Sequence, residues 1–293
     1  MTSDKTLWVA IAAHNPLARV EKLLKVLKLY TEYDLKVSVF IYINNEAQDD
    51  ANQLANLLRP FREQLELNIV IASSGYEGWG LTWAHKNDLV LACMNYKYDY
   101  YIYQENDMLI TWEHFKYWMR WKPRLAQYGL EPGFIRYEVF EGEKIPFDNH
   151  YRYFLTKRTP NVWSERGFDV KKLLVIDHEI KFFAQIASPY YAAMILDSFD
   201  AVKYVKSGSM DPAKSVEIVG FRNWPLADRS SMGLAFEDVP FGCEHRRCIP
   251  VIEENGVYKP HPCCLLAHDD TKYSKELAKT QPELITCDKM LQI

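Results

Sequence analysis

Two hydrophobic periods alternate along the first third of the chain, and this alternation constrains the fold more than any other feature of the sequence. Apolar runs rich in β-branched and aromatic residues, which are typical of buried strands, cover residues 7–15, 36–44, 65–74 and 98–104. Between them, apolar residues recur at helical spacing over residues 20–30, 48–59 and 80–96. Strands that alternate with helices form βαβ units. The sequence therefore predicts an α/β fold with a mainly parallel central sheet flanked by helices.

The second half of the chain follows a different pattern. A further strand is predicted over residues 133–142. From residue 145 to about residue 230 the sequence is strand-like and rich in turns, and its clearest apolar segment covers residues 181–197. No internal repeat and no linker composition divides the chain. We therefore expect one continuous fold, with a Rossmann-like half at residues 1–142 and a smaller, irregular α+β half at residues 143–293.

Charge and cysteine content argue against several classes of protein. The formal net charge of the 293-residue chain is -4, and Lys and Arg are spread along it, which disfavours nucleic acid as a partner. The longest apolar stretches, such as Val9–Ala13, are far shorter than the ~20 residues of a membrane span. Six cysteines are too few for a disulfide scaffold in a chain of this length. We expect a soluble, cytoplasmic protein without a leader or an integral membrane segment.

The fourth predicted strand ends in the triplet Glu105-Asn106-Asp107. Ligands of parallel α/β sheets bind beyond the carboxyl ends of the strands, so these acids lie where a site is expected. Two neighbouring carboxylates repel each other, and a divalent cation offsets their charge. Hard oxygen ligands of this kind suit Mg²⁺ or Mn²⁺, which complete their coordination with water and phosphate oxygens. The alternative interpretation is that the acids cap the helix that follows.

This order of elements resembles the GT-A class of nucleotide-sugar glycosyltransferases. In that class the fourth strand closes on a DxD motif, which Glu105-Asn106-Asp107 matches apart from Glu in the first position. The resemblance implies a GT-A, Rossmann-like fold and transfer of a sugar from a nucleotide diphosphate donor, expected to be a UDP-sugar, to a glycan or another hydroxyl acceptor. It also implies that Mn²⁺ or Mg²⁺ is bound directly by Asp107, that Glu105 contributes to the metal and the donor, and that Asn106 contacts the donor.

The resemblance further assigns donor-binding residues at the ends of the first two strands and at the third helix. They are Ala12, His14, Asn15, Asn44, Asn45 and Lys86. The asparagine amides supply both a donor and an acceptor to the edge of a nucleobase. Main-chain N–H groups after Gly78 and Gly80 are expected to be available to an anion at a helix start. Two of these assignments have structural alternatives: His14 belongs to a turn that stops the strand, and Lys86 is a solvated helix lysine.

Two C-terminal features complete the resemblance. Glu237-Asp238 is similar to the xED motif of inverting members of the class, in which the last acid lies at a helix start and acts as the catalytic base. Asp238 is accordingly the first choice for the base, and Glu237 is the second. His268 ends a short apolar run and is similar to a histidine that such enzymes supply as a further metal ligand. The alternatives are that the two acids are ordinary surface residues and that His268 is a hydrogen-bonded histidine without metal.

Three other hypotheses remain open on the sequence alone. A sugar-1-phosphate nucleotidyltransferase shares the strand and helix alternation, but it needs a Gly-rich loop after the first strand, and the segment from Ala12 to Val20 has no glycine. A non-catalytic carbohydrate-binding protein would use Trp and Tyr rings to stack on sugars. A structural zinc site would use C-terminal thiols and imidazoles, although no paired C-x-x-C is present. Its candidate ligands are Cys243, His245, Cys248, His261, Cys263, Cys264 and His268.

Overall fold

The structure is a computed structural model that describes residues 4–44, 48–95, 98–148, 180–185, 188–218, 224–281 and 283–291. Its strands are β1 (Thr6–Ala13), β2 (Lys36–Ile43), β3 (Glu66–Ile71), β4 (Tyr100–Glu105), β5 (Met108–Leu109), β6 (Glu131–Pro132), β7 (Ile135–Phe140), β8 (Glu143–Ile145), β9 (Phe182–Ala184), β10 (Ala193–Asp197), β11 (Arg247–Glu254), β12 (Val257–Pro260) and β13 (Leu265–His268). Its α-helices are α1 (Val20–Tyr30), α2 (Gln48–Leu57), α3 (Lys86–Met94), α4 (Trp112–Ala126), α5 (Ser198–Val205), α6 (Ser215–Ile218), α7 (Leu226–Ser230) and α8 (Lys272–Thr280). Short 3₁₀ helices cover Arg59–Phe61, Ser74–Tyr76, Gly78–Trp83, Gly208–Met210 and Pro262–Cys264.

The chain forms two compact units, and each unit contains two separate stretches of sequence. The first unit comprises Met1–Trp112 and Ala192–Leu234, and the second comprises Glu113–Tyr191 and Ala235–Ile293. The boundary predicted at residue 142 therefore falls inside the second unit. Residues 113–142, which hold most of α4 together with β6 and β7, belong to the second unit, and β10 returns to the first unit, where it pairs with β4.

The sheet of the first unit has the strand order β10-β4-β1-β2-β3. β1 pairs in parallel with β2 and with β4, and β2 pairs in parallel with β3. Only the edge strand β10 runs antiparallel to its neighbour within this sheet. The expectation of an α/β fold with parallel strands and flanking helices is confirmed, in the form of mixed sheets. From β1 the order runs to β2 and β3 on one side and to β4 on the other.

Helices cover both faces of this sheet, which explains why β1 is apolar along its length. Trp8, Ala10 and Ala12 belong to the same buried core cluster as Leu89 and Ala92 of α3. The opposite face is reached by α1, because the hydroxyl of Tyr30 donates to Gln104 on β4. Successive strand residues point to opposite faces, so a strand covered on both sides needs apolar residues at every position.

The second unit is built from shorter strands of both orientations. β11 pairs antiparallel with β12 and β9 and parallel with β6. β7 pairs parallel with β13 and antiparallel with β8. Within the second unit α4 buries Phe115, Trp118, Trp121 and Leu125 along one side. The predicted strand over residues 133–142 corresponds to β7.

The third helix begins later than the hydrophobic pattern predicts. A helix was expected over residues 80–96, whereas the structure has a 3₁₀ helix at Gly78–Trp83 followed by α3 at Lys86–Met94. Gly78 has a φ of 53°, which lies outside the right-handed helical range, so a regular helix cannot continue through this residue towards the N-terminus. The 3₁₀ segment is anchored because Trp83 donates its indole N–H to the carbonyl of Leu226 at 2.9 Å.

None of the helices within the described residues has the length and apolar content that are needed to cross a lipid bilayer.

Candidate functional site

The candidate site lies at the carboxyl ends of β1 and β4. These neighbouring strands are parallel, and Ala12 at the end of β1 is in register with Glu105 at the end of β4. The sheet order diverges at this point, because the connection from β1 leads towards β2 while β4 lies on the other side. In open α/β sheets, ligands bind in the crevice at such a switch point. The structure therefore brings the first predicted donor loop next to the predicted acidic triplet.

Main-chain hydrogen bonds fix the acidic triplet at this edge. The N–H of Glu105 donates to the carbonyl of Ala192, and the N–H of Asn106 donates to the carbonyl of Ala12, both at 3.2 Å. The side chains of Asn106 and Asp107 are only 4% and 7% exposed, whereas Glu105 is half-buried. Buried polar side chains at a strand end are unusual in a core, which marks Asn106 and Asp107 as functional candidates.

Gln104 braces the turn that carries the triplet, and the sequence analysis did not single it out. Its side-chain amide donates to the carbonyl of Met108 at 2.9 Å, and its side-chain oxygen accepts from the hydroxyl of Tyr30. Gln104 is fully buried. Its amide therefore spans the turn from one end to the other and holds Glu105 and Asp107 in place. The sequence feature that points to Gln104 is an amide within an otherwise apolar strand. A buried amide needs specific hydrogen-bond partners, so such a residue is expected to have a defined role.

The acidic residues at this edge of the sheet provide part of the ligand set of a divalent cation. Asp107 and Glu105 supply hard oxygen ligands, and Mg²⁺ or Mn²⁺ commonly binds one or two protein carboxylates together with phosphate oxygens and water. In the part of the chain that the structure describes, no group of three or more His, Cys, Asp and Glu side chains is placed to hold a metal ion. Mg²⁺ or Mn²⁺ at this edge would be held by Asp107 and Glu105.

His14 and Asn44 meet at the ends of β1 and β2. The side-chain amide of Asn44 donates to Nδ1 of His14 at 2.6 Å, so two predicted donor-binding residues that are 30 positions apart form a pair. His14 is exposed and Asn44 is half-buried. Asn15 next to them has a φ of 49°, a left-handed conformation that Asn tolerates better than most residues. Asn45, the other predicted contact, lies outside the described residues.

Lys86 is placed differently from its prediction. It is only 5% exposed, and its amine donates to the hydroxyl of Tyr204 at 2.6 Å and to the carbonyl of Ser230 at 2.7 Å. Burial lowers the pKa of this amine well below its ordinary value. The lysine is thus neither a solvated helix residue nor an amine directed at solvent. We therefore do not include Lys86 among the groups proposed to contact a diphosphate.

The glycines before α3 also differ from the expectation. The N–H of Gly80, predicted to be available to an anion, donates to the carbonyl of Glu77 at 2.9 Å. This bond closes one turn of the 3₁₀ helix. The N–H of Gly80 is therefore used by a hydrogen bond within the 3₁₀ helix and is not available to an anion.

Glu237 and Asp238 lie in the second unit, on a turn. Asp238 is exposed and has a φ of 50°, and Glu237 is half-buried. The resemblance implied a helix start at Asp238, but the described residues that follow form turns until β11 begins at Arg247. The exposed carboxylate can accept a proton from a bound hydroxyl group. Its role as catalytic base stays a prediction.

His268 lies in the second unit, at the end of β13, where it pairs with a buried carboxylate. Its Nδ1 lies 2.9 Å from Oε1 of Glu138, which is fully buried on β7. The other oxygen of Glu138 accepts from the N–H and the hydroxyl of Ser274, both at 2.7 Å, in the first turn of α8. Glu138 therefore links β13 to the N-terminus of α8, where a negative charge is favourable. This hydrogen-bonded arrangement gives His268 a structural role in the second unit.

Replacing Glu138 with Ala is expected to destabilise the protein by about 3 kcal/mol at pH 7, because it removes the buried carboxylate that pairs with His268 and accepts from the N–H and hydroxyl of Ser274. Burial alone would raise the pKa of Glu138, but the hydrogen bonds from His268 and Ser274 outweigh it and hold the pKa below its ordinary value of 4.5. This stabilisation is present above pH 4.5 and is lost as the pH falls through the lower pKa of the folded protein. Urea unfolding of both proteins between pH 7 and pH 3 measures the difference.

The matched control for this prediction is Glu143→Ala, since Glu143 is an exposed carboxylate on the neighbouring strand β8. Its substitution is expected to change the free energy of unfolding by less than about 0.5 kcal/mol. A Glu138→Ala protein that is as stable as Glu143→Ala would show that the carboxylate does not stabilise α8.

The candidate ligands of a zinc site are all described, and all six cysteines of the chain are free thiols. The Sγ atoms of two of them are hydrogen-bonded to main chain: Cys248 to the carbonyl of Glu131 and Cys264 to that of His261. Burial raises the pKa of both thiols well above the ordinary value. A protonated thiol is a poor metal ligand. The described residues thus give the zinc hypothesis no four-ligand cluster.

Comparison with known proteins adds no family assignment: no protein-family model and no curated protein matches this chain.

Proposed function

We propose that this protein is a metal-dependent glycosyltransferase of the GT-A type, which transfers a sugar from a nucleotide diphosphate donor to a hydroxyl acceptor. One observation carries this proposal. Polar residues lie at the ends of three adjacent parallel strands, at the switch point of the sheet. Glu105 at the end of β4 is in register with Ala12 of β1, and His14 after β1 is paired with Asn44 after β2. Such a crevice is the standard binding place for nucleotides in open α/β sheets.

The chemistry of the edge supports a nucleotide diphosphate as the ligand. Glu105 ends β4 and Asp107 lies two residues later, while His14 and Asn44 directly follow the last residues of β1 and β2. A ligand with a charged end and a heteroaromatic end matches this distribution. The amide of Asn44 can read the edge of a base, while the carboxylates would hold Mn²⁺ or Mg²⁺. When bound, the cation would neutralise the charge of the departing diphosphate.

Transfer requires a group that activates the acceptor, and we assign this role to Asp238, with Glu237 as the second choice. The Asp238 carboxylate takes the proton of the acceptor hydroxyl while the hydroxyl oxygen forms a bond to the anomeric carbon. The bond between that carbon and the diphosphate oxygen breaks at the same time, and the diphosphate leaves with the electron pair. Attack from the face opposite the leaving group inverts the anomeric configuration.

The proposal is tested with purified protein and a panel of UDP-, GDP-, ADP- and dTDP-sugars. We expect slow release of the nucleotide from at least one donor, abolished by a chelator and restored by Mn²⁺. Measuring release with and without candidate acceptors separates transfer from hydrolysis. No release from any donor in the presence of Mn²⁺ would contradict the proposed function.

The same assay separates the two alternatives. A sugar-1-phosphate nucleotidyltransferase would produce pyrophosphate from a nucleoside triphosphate and a sugar phosphate, and a non-catalytic carbohydrate-binding protein would release no nucleotide. The segment from Ala12 to Val20 contains no glycine, so it lacks the Gly-rich loop that the nucleotidyltransferase hypothesis needs.

A further inference from the structure

The segment between β3 and α3 displays a tryptophan at the carboxyl edge of the first unit's sheet. Trp79 is 74% exposed, although Trp is usually largely buried in folded proteins. Two residues later, Leu81 is buried in a cluster with Ala12, Tyr42 and Ala72, which lie at the ends of β1, β2 and β3. The exposed ring is therefore attached to the same edge of the sheet that carries the candidate site.

Hydrogen bonding and packing hold the backbone around Trp79, while its neighbours in the chain leave the ring uncovered. Thr82 donates its hydroxyl to the carbonyl of Trp79 at 2.9 Å, and Tyr76, three residues earlier, packs against the core cluster. The residues that flank Trp79 are Gly78 and Gly80, which have no side chains to cover the indole. A side chain added at Gly78 would meet no atom within 4 Å, so the surroundings are open.

We propose that this segment, residues 73–80, is a carbohydrate-binding platform on which Trp79 stacks against a neutral saccharide ring. An exposed aromatic ring gives a large contact area, and Trp has only two side-chain torsions to order on binding. A pyranose offers one C–H face for such a ring and a rim of hydroxyl groups. Exposed polar side chains next to Trp79 suit that rim, namely Ser73, Ser74 and Glu77.

The charge of the segment favours a neutral sugar over a nucleotide phosphate. Glu77 is an exposed carboxylate two residues before Trp79, and residues 73–80 contain no Lys or Arg. A carboxylate accepts hydrogen bonds from sugar hydroxyls but repels phosphate. Identifying the bound sugar as the acceptor of the transfer reaction rests on the proposed function, whereas saccharide binding by the platform does not.

The test measures binding of neutral oligosaccharides to the full-length protein and its variants. The wild type is screened against an array of neutral glucose, galactose, mannose, xylose and N-acetylglucosamine oligomers, and the best ligand is titrated by calorimetry. We expect Trp79→Ala to weaken binding at least about tenfold, since a Trp at the centre of a contact carries much of its energy. Trp79→Phe is expected to retain most of the affinity, because it keeps an aromatic face.

The control is Phe199→Ala, which removes an aromatic side chain that is 77% exposed on α5 in the same unit. This variant is expected to bind the oligosaccharide as the wild type does, and thermal unfolding checks that all variants are folded. The proposal is overturned if the wild type binds no oligosaccharide of the array, or if Trp79→Ala binds as tightly as Phe199→Ala. Wild-type protein that binds the oligosaccharide but releases no nucleotide from any donor would contradict the proposed function and leave the platform intact.

Discussion

Replacement of Asp107 with Asn is expected to reduce Mn²⁺-dependent release of nucleotide from the sugar donor by about 10³-fold while the protein remains folded. Asn has nearly the same shape as Asp but lacks the negative charge that binds the cation. The backbone of the triplet is held by bonds that the substitution does not touch, from Asn106 to Ala12 and from Gln104 to Met108. Donor turnover and Mn²⁺ binding followed by electron paramagnetic resonance both report the loss.

The control for Asp107→Asn is Glu63→Gln, which neutralises an exposed acid of the first unit outside the site. It is expected to leave metal binding and turnover unchanged. Thermal unfolding should show similar midpoints for both variants and the wild type. If Asp107→Asn retained Mn²⁺-dependent turnover, the carboxylate would not be a metal ligand, and the assignment of the triplet would be wrong.

Replacement of Asp238 with Asn is expected to lower the rate of sugar transfer by about 10³-fold while donor binding is retained. An amide cannot accept the proton of the acceptor hydroxyl at neutral pH. Asn is the appropriate substitution because residue 238 has a φ of 50°, which Asn adopts readily and Ala does not. Transfer to an acceptor and binding of the donor are measured separately, the latter by calorimetry with Mn²⁺ present.

Glu237→Gln is the matched control, because it neutralises the adjacent acid. If Asp238 is the base, Glu237→Gln keeps most of the transfer activity. The reverse result, in which Glu237→Gln loses transfer and Asp238→Asn does not, would move the role of base to Glu237. Unchanged transfer in both variants would remove the pair from the mechanism.

Local patterns were sufficient for most of the first unit's elements. The helix predicted to begin at Val20 and end near Tyr30 is α1, with those bounds, and the predicted strand at residues 36–44 is β2 at Lys36–Ile43. Apolar spacing and turn residues specify such elements directly, because the interval between apolar residues distinguishes a helix from a buried strand. The end of β4 at Glu105 follows for the same reason.

Local sequence patterns did not predict the first residue of α3 or the burial of Lys86. Helical spacing is shared by 3₁₀ and α-helices over one turn, so the pattern did not separate Gly78–Trp83 from α3. The resemblance places Lys86, one turn into the predicted helix, near a diphosphate, and the alternative is a solvated helix lysine. The partners that bury it are Tyr204 and Ser230, which are more than 100 residues away in the chain.

The sequence by itself determined the alternation of strands and helices in the first unit and the position of an acidic triplet at the end of a strand. Both depend on neighbours along the chain, through side-chain periodicity and backbone preference. Tertiary structure alone decided the pairing of His14 with Asn44, the bracing of the triplet by Gln104 and Tyr30, and the burial of Glu138 with His268. These contacts join distant segments, and their energies depend on burial and on the orientation of partners that no local pattern encodes.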